Sequence, residues 1–260
     1  MIDWLYTFTE PGLLALAAMV LVLTTAILPR LLKPIPWLRP SDANNDFVIR
    51  IQTTLFTMTS LVVAFTLVQA TTNYRQADAL VQAEASQINT LDRLLTRYGD
   101  PDVAAIRPLL LNYARSIVKD EWPAMLVDQG SDTTRALFVP VARTVLAIEP
   151  KTPRQVQIFA EMLKGLESIS EMRDRRLNAL SLALPTIYWE VVLFSAAMAI
   201  LASAMIAQTP FRTFILAVQA AVLGAFIGFI FLMDQPFKGR TAIDADAIVQ
   251  VIARMDGRTR

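Results

Sequence analysis

Between Val48 and Tyr98 the chain contains neither glycine nor proline, so nothing obvious interrupts a helix over that whole stretch. Its first part, residues 47–70 (FVIRIQTTLFTMTSLVVAFTLVQA), is apolar or hydroxyl-bearing apart from Arg50, Gln52 and Gln69. About twenty such residues cross the hydrocarbon core of a bilayer as a helix. Past Tyr74 the pattern becomes that of a water-exposed helix. Ala77, Leu80, Val81, Ala85, Ile88, Leu91, Leu94 and Leu95 recur at spacings of three and four, with Arg75, Asp78, Gln82, Glu84, Asp92 and Arg93 between them. One rod is therefore expected to join a membrane part to a soluble part.

Composition agrees with that division. The chain is 54% hydrophobic and 18% charged, with a mean hydropathy of +0.44. This is too apolar for an ordinary soluble domain and too charged for membrane throughout. A net charge of +1 gives no reason to expect nucleic acid. With no Cys and no His, the chain has no thiol nucleophile, disulfide, thiolate or imidazole metal site, or Ser-His-Asp triad. No phosphate-binding glycine loop is present either, and no catalytic, metal or cofactor residues are expected.

A first span is read over 12–28, with Trp4, Tyr6 and Phe8 as interfacial anchors and no cleavable signal peptide. Pro29, Pro34, Pro36 and Pro40 then mark an irregular connector carrying Arg30, Lys33 and Arg39. After the rod, Gly99-Asp100-Pro101 opens a helix to about Trp122, with Ile106, Leu109, Leu110, Tyr113, Ile117 and Val118 inward and Pro108 kinking it or delaying its start. Ser131 or Asp132 caps a helix to about Ile148. Thr152 caps a last long helix whose stripe is Phe159, Met162, Leu163, Leu166, Ile169 and Met172. Spans three and four are read over about 184–207 and 211–233, joined by the short turn Gln208-Thr209-Pro210. The fold expected is all-α: four transmembrane helices with a helical soluble domain inserted between the second and third. The domains run 1–73, 74–183, 184–233 and a polar tail 234–260. Because basic residues in short connectors stay cytoplasmic, Arg30, Lys33 and Arg39 place the helical domain outside the cytoplasm.

The second span is unusually polar. At 100° per residue Gln52, Thr59 and Thr66 form one stripe, and Thr53, Thr57 and Ser60 a neighbouring one. These six are candidates to line an oligomeric pore; the alternative is hydroxyls bonding back to their own helix and serving helix packing. Small residues recur in the other spans, at Ser195, Ala199 and Ser203 and at Gly224-x-x-x-Gly228, and permit close helix contact within a subunit or between subunits. Glu190 is read as a headgroup-zone residue beside Tyr188 and Trp189. Asp120, Glu121 and Asp234 are read as solvated or salt-bridged to the many arginines.

Several stretches resemble a bacterial family of membrane proteins of unknown function described as bestrophin-like (DUF4239). They are Tyr74-x-x-Ala77 with Glu84-Ala85, Glu121-Trp122 within KDEWPAM, and Leu146-x-x-Glu149-Pro150. Asp234-x-Pro236-Phe237-Lys238-Gly239 follows the last span, and Asn45-Asp46 precedes the second. Gln235 stands where the family usually has His or Arg. The resemblance covers nearly the whole chain in order and implies a multi-pass protein of the bacterial inner membrane, with the lipid bilayer and further copies of itself as partners. Likeness to the bestrophins proper, pentameric anion channels with a cytoplasmic helical domain and a pore lined by the second span, is architectural; their calcium-binding and neck motifs are not found. The leading expectation is a homo-oligomeric channel. The alternative is a non-transporting scaffold or sensor whose helical domain binds a partner or ligand.

Overall fold

The computed structural model describes residues 9–35 and 42–258. Trp4, Tyr6, Phe8, Pro36, Arg39 and Pro40 lie outside them. The described residues form ten α-helices and no strand. They divide into two compact units, a membrane unit (1–74, 183–235 and 239–241) and a helical unit (75–182, 236–238 and 242–260). The second helix, α2 (Asp42–Arg97), contributes to both, as the absence of Gly and Pro predicts.

In the membrane unit, α1 (Glu10–Leu32) is capped by Thr9, whose hydroxyl accepts the Gly12 N–H. It runs through Pro29, which forfeits one hydrogen bond to the Thr25 carbonyl, and stops three residues later. The other membrane helices are α2 up to Tyr74, α8 (Thr186–Ala204) and α9 (Pro210–Asp234). Helix α8 starts later than expected because Pro185 denies Leu184 a helical conformation. Thr209 caps α9. Four helical stretches among the described residues are long and apolar enough to cross a membrane. Val63, Ala70, Leu184, Val192, Ala196, Leu223 and Ile230 form the core. Gly224 and Gly228 pack against α1 within the same chain: a Cβ on Gly224 would sit 2.6 Å from the Ala17 carbonyl oxygen, and one on Gly228 3.1 Å from Ala17 Cβ. Ala199 and Ser203 are likewise buried inside the subunit, with Ser195 half-buried.

In the helical unit, α2 buries Ala77, Val81, Ala85, Ile88, Leu91 and Leu95, most of the predicted stripe. The single helix expected over 101–122 is instead α3 (Pro101–Ala104), α4 (Arg107–Ser116), a π-helical turn (Ile117–Glu121) and α5 (Trp122–Met125). Both breaks come from proline. Pro108 cannot donate within a continuing helix, so α4 starts afresh beside it, and Pro123 cannot donate to the Lys119 carbonyl, so the ladder loosens just before it. Helix α6 (Asp132–Leu146) is capped by Ser131, and α7 (Pro153–Asn178) by Thr152. The expected polar tail is part of this unit: α10 (Asp246–Gly257) buries Ala247, Ile248, Val251 and Met255.

Candidate functional site

The membrane part of α2 presents three faces. The inner one carries polar groups satisfied within the subunit. Gln52 Nε2 donates to Gln219 Oε1 on α9 at 2.9 Å and lies 3.4 Å from Ser203 Oγ on α8. The Thr59 hydroxyl lies 2.8 Å from the Leu55 carbonyl and 3.1 Å from that of Ser195. Thr66 bonds back to Val62. All three are buried. Their stripe is therefore the seam on which α8 and α9 pack, and it is not free to line a pore.

Thr53, Thr57 and Ser60 are exposed, in register with exposed Arg50 and Ala64 at steps of three and four. The hydroxyls of Thr53 and Thr57 donate to the carbonyls of Ile49 and Thr53. Beside this polar stripe runs a largely apolar one of exposed Phe47, Ile51, Met58, Leu61, Phe65 and Val68, interrupted by Thr54, whose hydroxyl donates to the Arg50 carbonyl. One helix thus offers a packed face, a hydroxyl face and an oily face.

In the helical unit the buried charges converge. Arg176 on α7 is fully buried, with Nε 2.5 Å from Glu84 Oε2 and Nη2 2.5 Å from Glu121 Oε2. Arg173 also binds Glu121, and Arg176 stacks over the Trp122 ring at 5.3 Å. Glu84 and Glu121 have no exposed surface. Burial pushes the Glu121 carboxyl up, but Arg176 and Arg173 outweigh it and hold it below the usual carboxylate range. Burial lowers the Arg176 guanidinium, and Glu84 and Glu121 reverse this to leave it raised. The π-helical turn brings Glu121 and Trp122 to this cluster. A third buried carboxylate, Asp92, accepts from Arg107 and Arg258 at 2.8 Å each.

Glu84, Glu121 and Asp92 are salt-bridged to arginines, one of the two readings expected of the acids, and Asp234 is bonded to neutral donors instead; the solvated alternative fails for all four, which are buried. Position set it aside: Glu84 lies seven residues after Ala77 and Asp92 seven after Ala85, on the buried stripe. Arg176 likewise stands seven after Ile169. That spacing was the available signal for the cluster. Nothing in the sequence linked Gln52 to Gln219.

The remaining signature residues have structural partners in their own units. In the membrane unit, Asp234 accepts the Leu184 N–H at 2.6 Å and the Trp189 indole N–H at 3.1 Å, and the Tyr74 hydroxyl donates to the Thr241 carbonyl at 2.8 Å. In the helical unit, Pro236 and Phe237 are buried and Phe237 meets Trp122 edge-on, with ring centres 6.2 Å apart. Gly239 has φ +84°, a conformation that favours glycine, and this accounts for its place after Phe237-Lys238. Glu190 is exposed.

A family model described as bestrophin-like domain matches residues 15–248. In fold the chain is similar to crystal structures of a bacterial bestrophin homolog from Klebsiella pneumoniae. One point variant superposes with a TM-score of 0.70 at 11% identity, covering 93% of this chain and 97% of that one. A second structure of that homolog gives 0.69 at 13% identity, covering 93% and 98%. A variant described only as a membrane protein gives 0.67 at 12% identity, covering 93% and 96%. No curated protein matches the chain.

Proposed function

Because this chain belongs to the bestrophin-like family, we propose that it is the subunit of a homo-oligomeric ion channel whose second span lines the pore. The observation that carries this reading is the three-faced α2. Each threonine of the hydroxyl stripe bonds back to its own helix and keeps lone pairs free to meet water or an ion. Around an oligomer axis the same stripe meets water, and its oxygens replace part of an ion's hydration shell. The pore set is therefore narrowed to Thr53, Thr57 and Ser60. The reading is of a non-enzymatic protein embedded in the bacterial inner membrane.

The natural absence of cysteine makes the test direct. The protein is reconstituted in planar bilayers as Thr57→Cys, Ser60→Cys and, on the oily face, Phe65→Cys. Conductance that a charged thiol reagent blocks at 57 and 60 and leaves intact at 65 is the expected result. A monomer, or an oligomer without conductance, overturns the channel and sides with a membrane scaffold or sensor. For sidedness, the connector charges and the bestrophin orientation point to opposite sides. A periplasm-active reporter after Arg260 and a cytoplasm-active reporter in the 29–46 connector are both active in the first case and both silent in the second.

A further inference from the structure

The membrane unit contains a second feature that the pore reading does not use. A cavity of about 480 Å³ opens at the start of α9, walled by Ile49, Phe211, Ile215 and Val218. Arg212 lines it in the first turn of α9, and the Gln52–Gln219 pair lines it seven residues further along that helix, roughly 10 Å away. Phe211, Ile215 and Val218 are all exposed large hydrophobics of a membrane helix. The cavity wall is thus continuous with exposed apolar surface of that helix.

The charge of Arg212 has no counter-ion among the described residues. Its Nη1 donates to the Ala207 carbonyl at 3.1 Å and lies 3.5 Å from Asn45 Oδ1, both neutral partners. Elsewhere among the described residues, buried and partly buried arginines are met by carboxylates, as Arg176, Arg107 and Arg173 are. A guanidinium at the end of a membrane helix, fixed by neutral acceptors and fronting an apolar slot, is complementary to an anion that carries a hydrocarbon chain.

We propose that this cavity binds an anionic phospholipid, with the headgroup phosphate on Arg212 and the first part of one acyl chain along Ile49, Ile215 and Val218. The inference is independent of the pore, because it uses the polar end of α9 and the opposite margin of α2 from the oily stripe. It requires only that these helices lie in a bilayer.

The test uses the full chain purified in detergent and offered mixed micelles of phosphatidylglycerol and phosphatidylcholine, with retained lipid counted by native mass spectrometry. Wild type should retain phosphatidylglycerol over phosphatidylcholine by about fivefold, the equivalent of the ~1 kcal/mol that one basic residue near a membrane surface contributes. Arg212→Gln should abolish the preference, and Arg212→Lys, which keeps the charge, should retain most of it. Ile215→Trp should fill the slot and reduce phosphatidylglycerol retention with Arg212 intact. Equal retention of the two lipids by wild type overturns the proposal, as does an unchanged preference in Arg212→Gln. Loss in Arg212→Lys equal to that in Arg212→Gln also overturns it, because the effect then follows local packing and not charge. Displacement of phosphatidylglycerol by millimolar inorganic phosphate replaces the lipid site with a free-phosphate site and overturns it too.

Discussion

Arg176→Met separates the buried charge cluster from its arginine while keeping most of the side chain's bulk. In the wild type Arg176 is the hydrogen-bonding partner of Glu84 and shares Glu121 with Arg173. After the substitution Glu121 keeps Arg173, and Glu84 is left as a fully buried carboxylate without a cation. Removing one partner of a buried pair costs about 3–5 kcal/mol, chiefly because the orphaned charge stays buried. That is a large share of the ~5–15 kcal/mol that holds a domain folded. The double variant Glu84→Leu/Arg176→Met removes both charges and should recover most of the loss, since apolar replacement of a whole buried pair is often neutral. The assay is unfolding of the detergent-solubilised protein followed by circular dichroism, with Trp122, which stacks on Arg176, as a local fluorescence probe. The pH dependence adds a second readout. Glu121 has a depressed folded pKa, so its contribution is present at neutral pH and lost as pH falls through that lowered value. In Arg176→Met the Glu121 carboxyl loses one of the two cations that hold it low, so less of that contribution survives at neutral pH. The gap between wild type and variant should therefore widen from pH 4 to pH 8. A single variant within 1 kcal/mol of wild type, or a double variant no better than the single, would refute the reasoning.

Two further outcomes follow from the membrane unit. Gly224→Ala brings a methyl to 2.6 Å from the Ala17 carbonyl oxygen, whereas Gly228→Ala meets Ala17 Cβ at 3.1 Å and Leu14 Cα at 3.4 Å. The first should lower the unfolding temperature in detergent by the larger amount, about 1–3 kcal/mol of overpacking, and equal effects would contradict the contact. Asp234→Ala strands the Leu184 N–H and the Trp189 indole. It should cost about 1–3 kcal/mol and alter Trp189 emission, whereas an unchanged spectrum would mean that the indole has other partners.

Much of the fold was legible because it rests on local signals. The Gly- and Pro-free run became α2, Thr152 and Ser131 became caps, and the apolar run before Asp234 became α9. The π-helical turn was not legible. Pro123 shows that a hydrogen bond is missing but not how the backbone redistributes the others. The polar second span was read as a pair of stripes, and both exist. Which of them packs inward depends on Gln219, Ser203 and Ser195, residues more than 130 positions away. Periodicity gives faces and does not give partners. The burial of the acids was missed for a related reason: residue type argued for solvent and register argued for the core. Register prevailed because arginines on α4, α7 and next to α10 were there to receive them.

The close contact of α1 with Gly224 and Gly228 sets an order of events during synthesis. Of the four described spans α1 leaves the ribosome earliest, and its main partner α9 follows roughly 200 residues later, an interval of about 10–40 s at ordinary elongation rates. Throughout that interval α1 is in the bilayer with its eventual docking surface facing lipid tails. Its sequence tolerates the wait, since between Gly12 and Leu28 it carries only threonine hydroxyls as polar side chains, and Thr24 and Thr25 bond back to Val20 and Leu21. The membrane unit therefore closes only when α9 arrives, and a nascent chain truncated before Pro210 would leave α1 with only its smaller contact to α8.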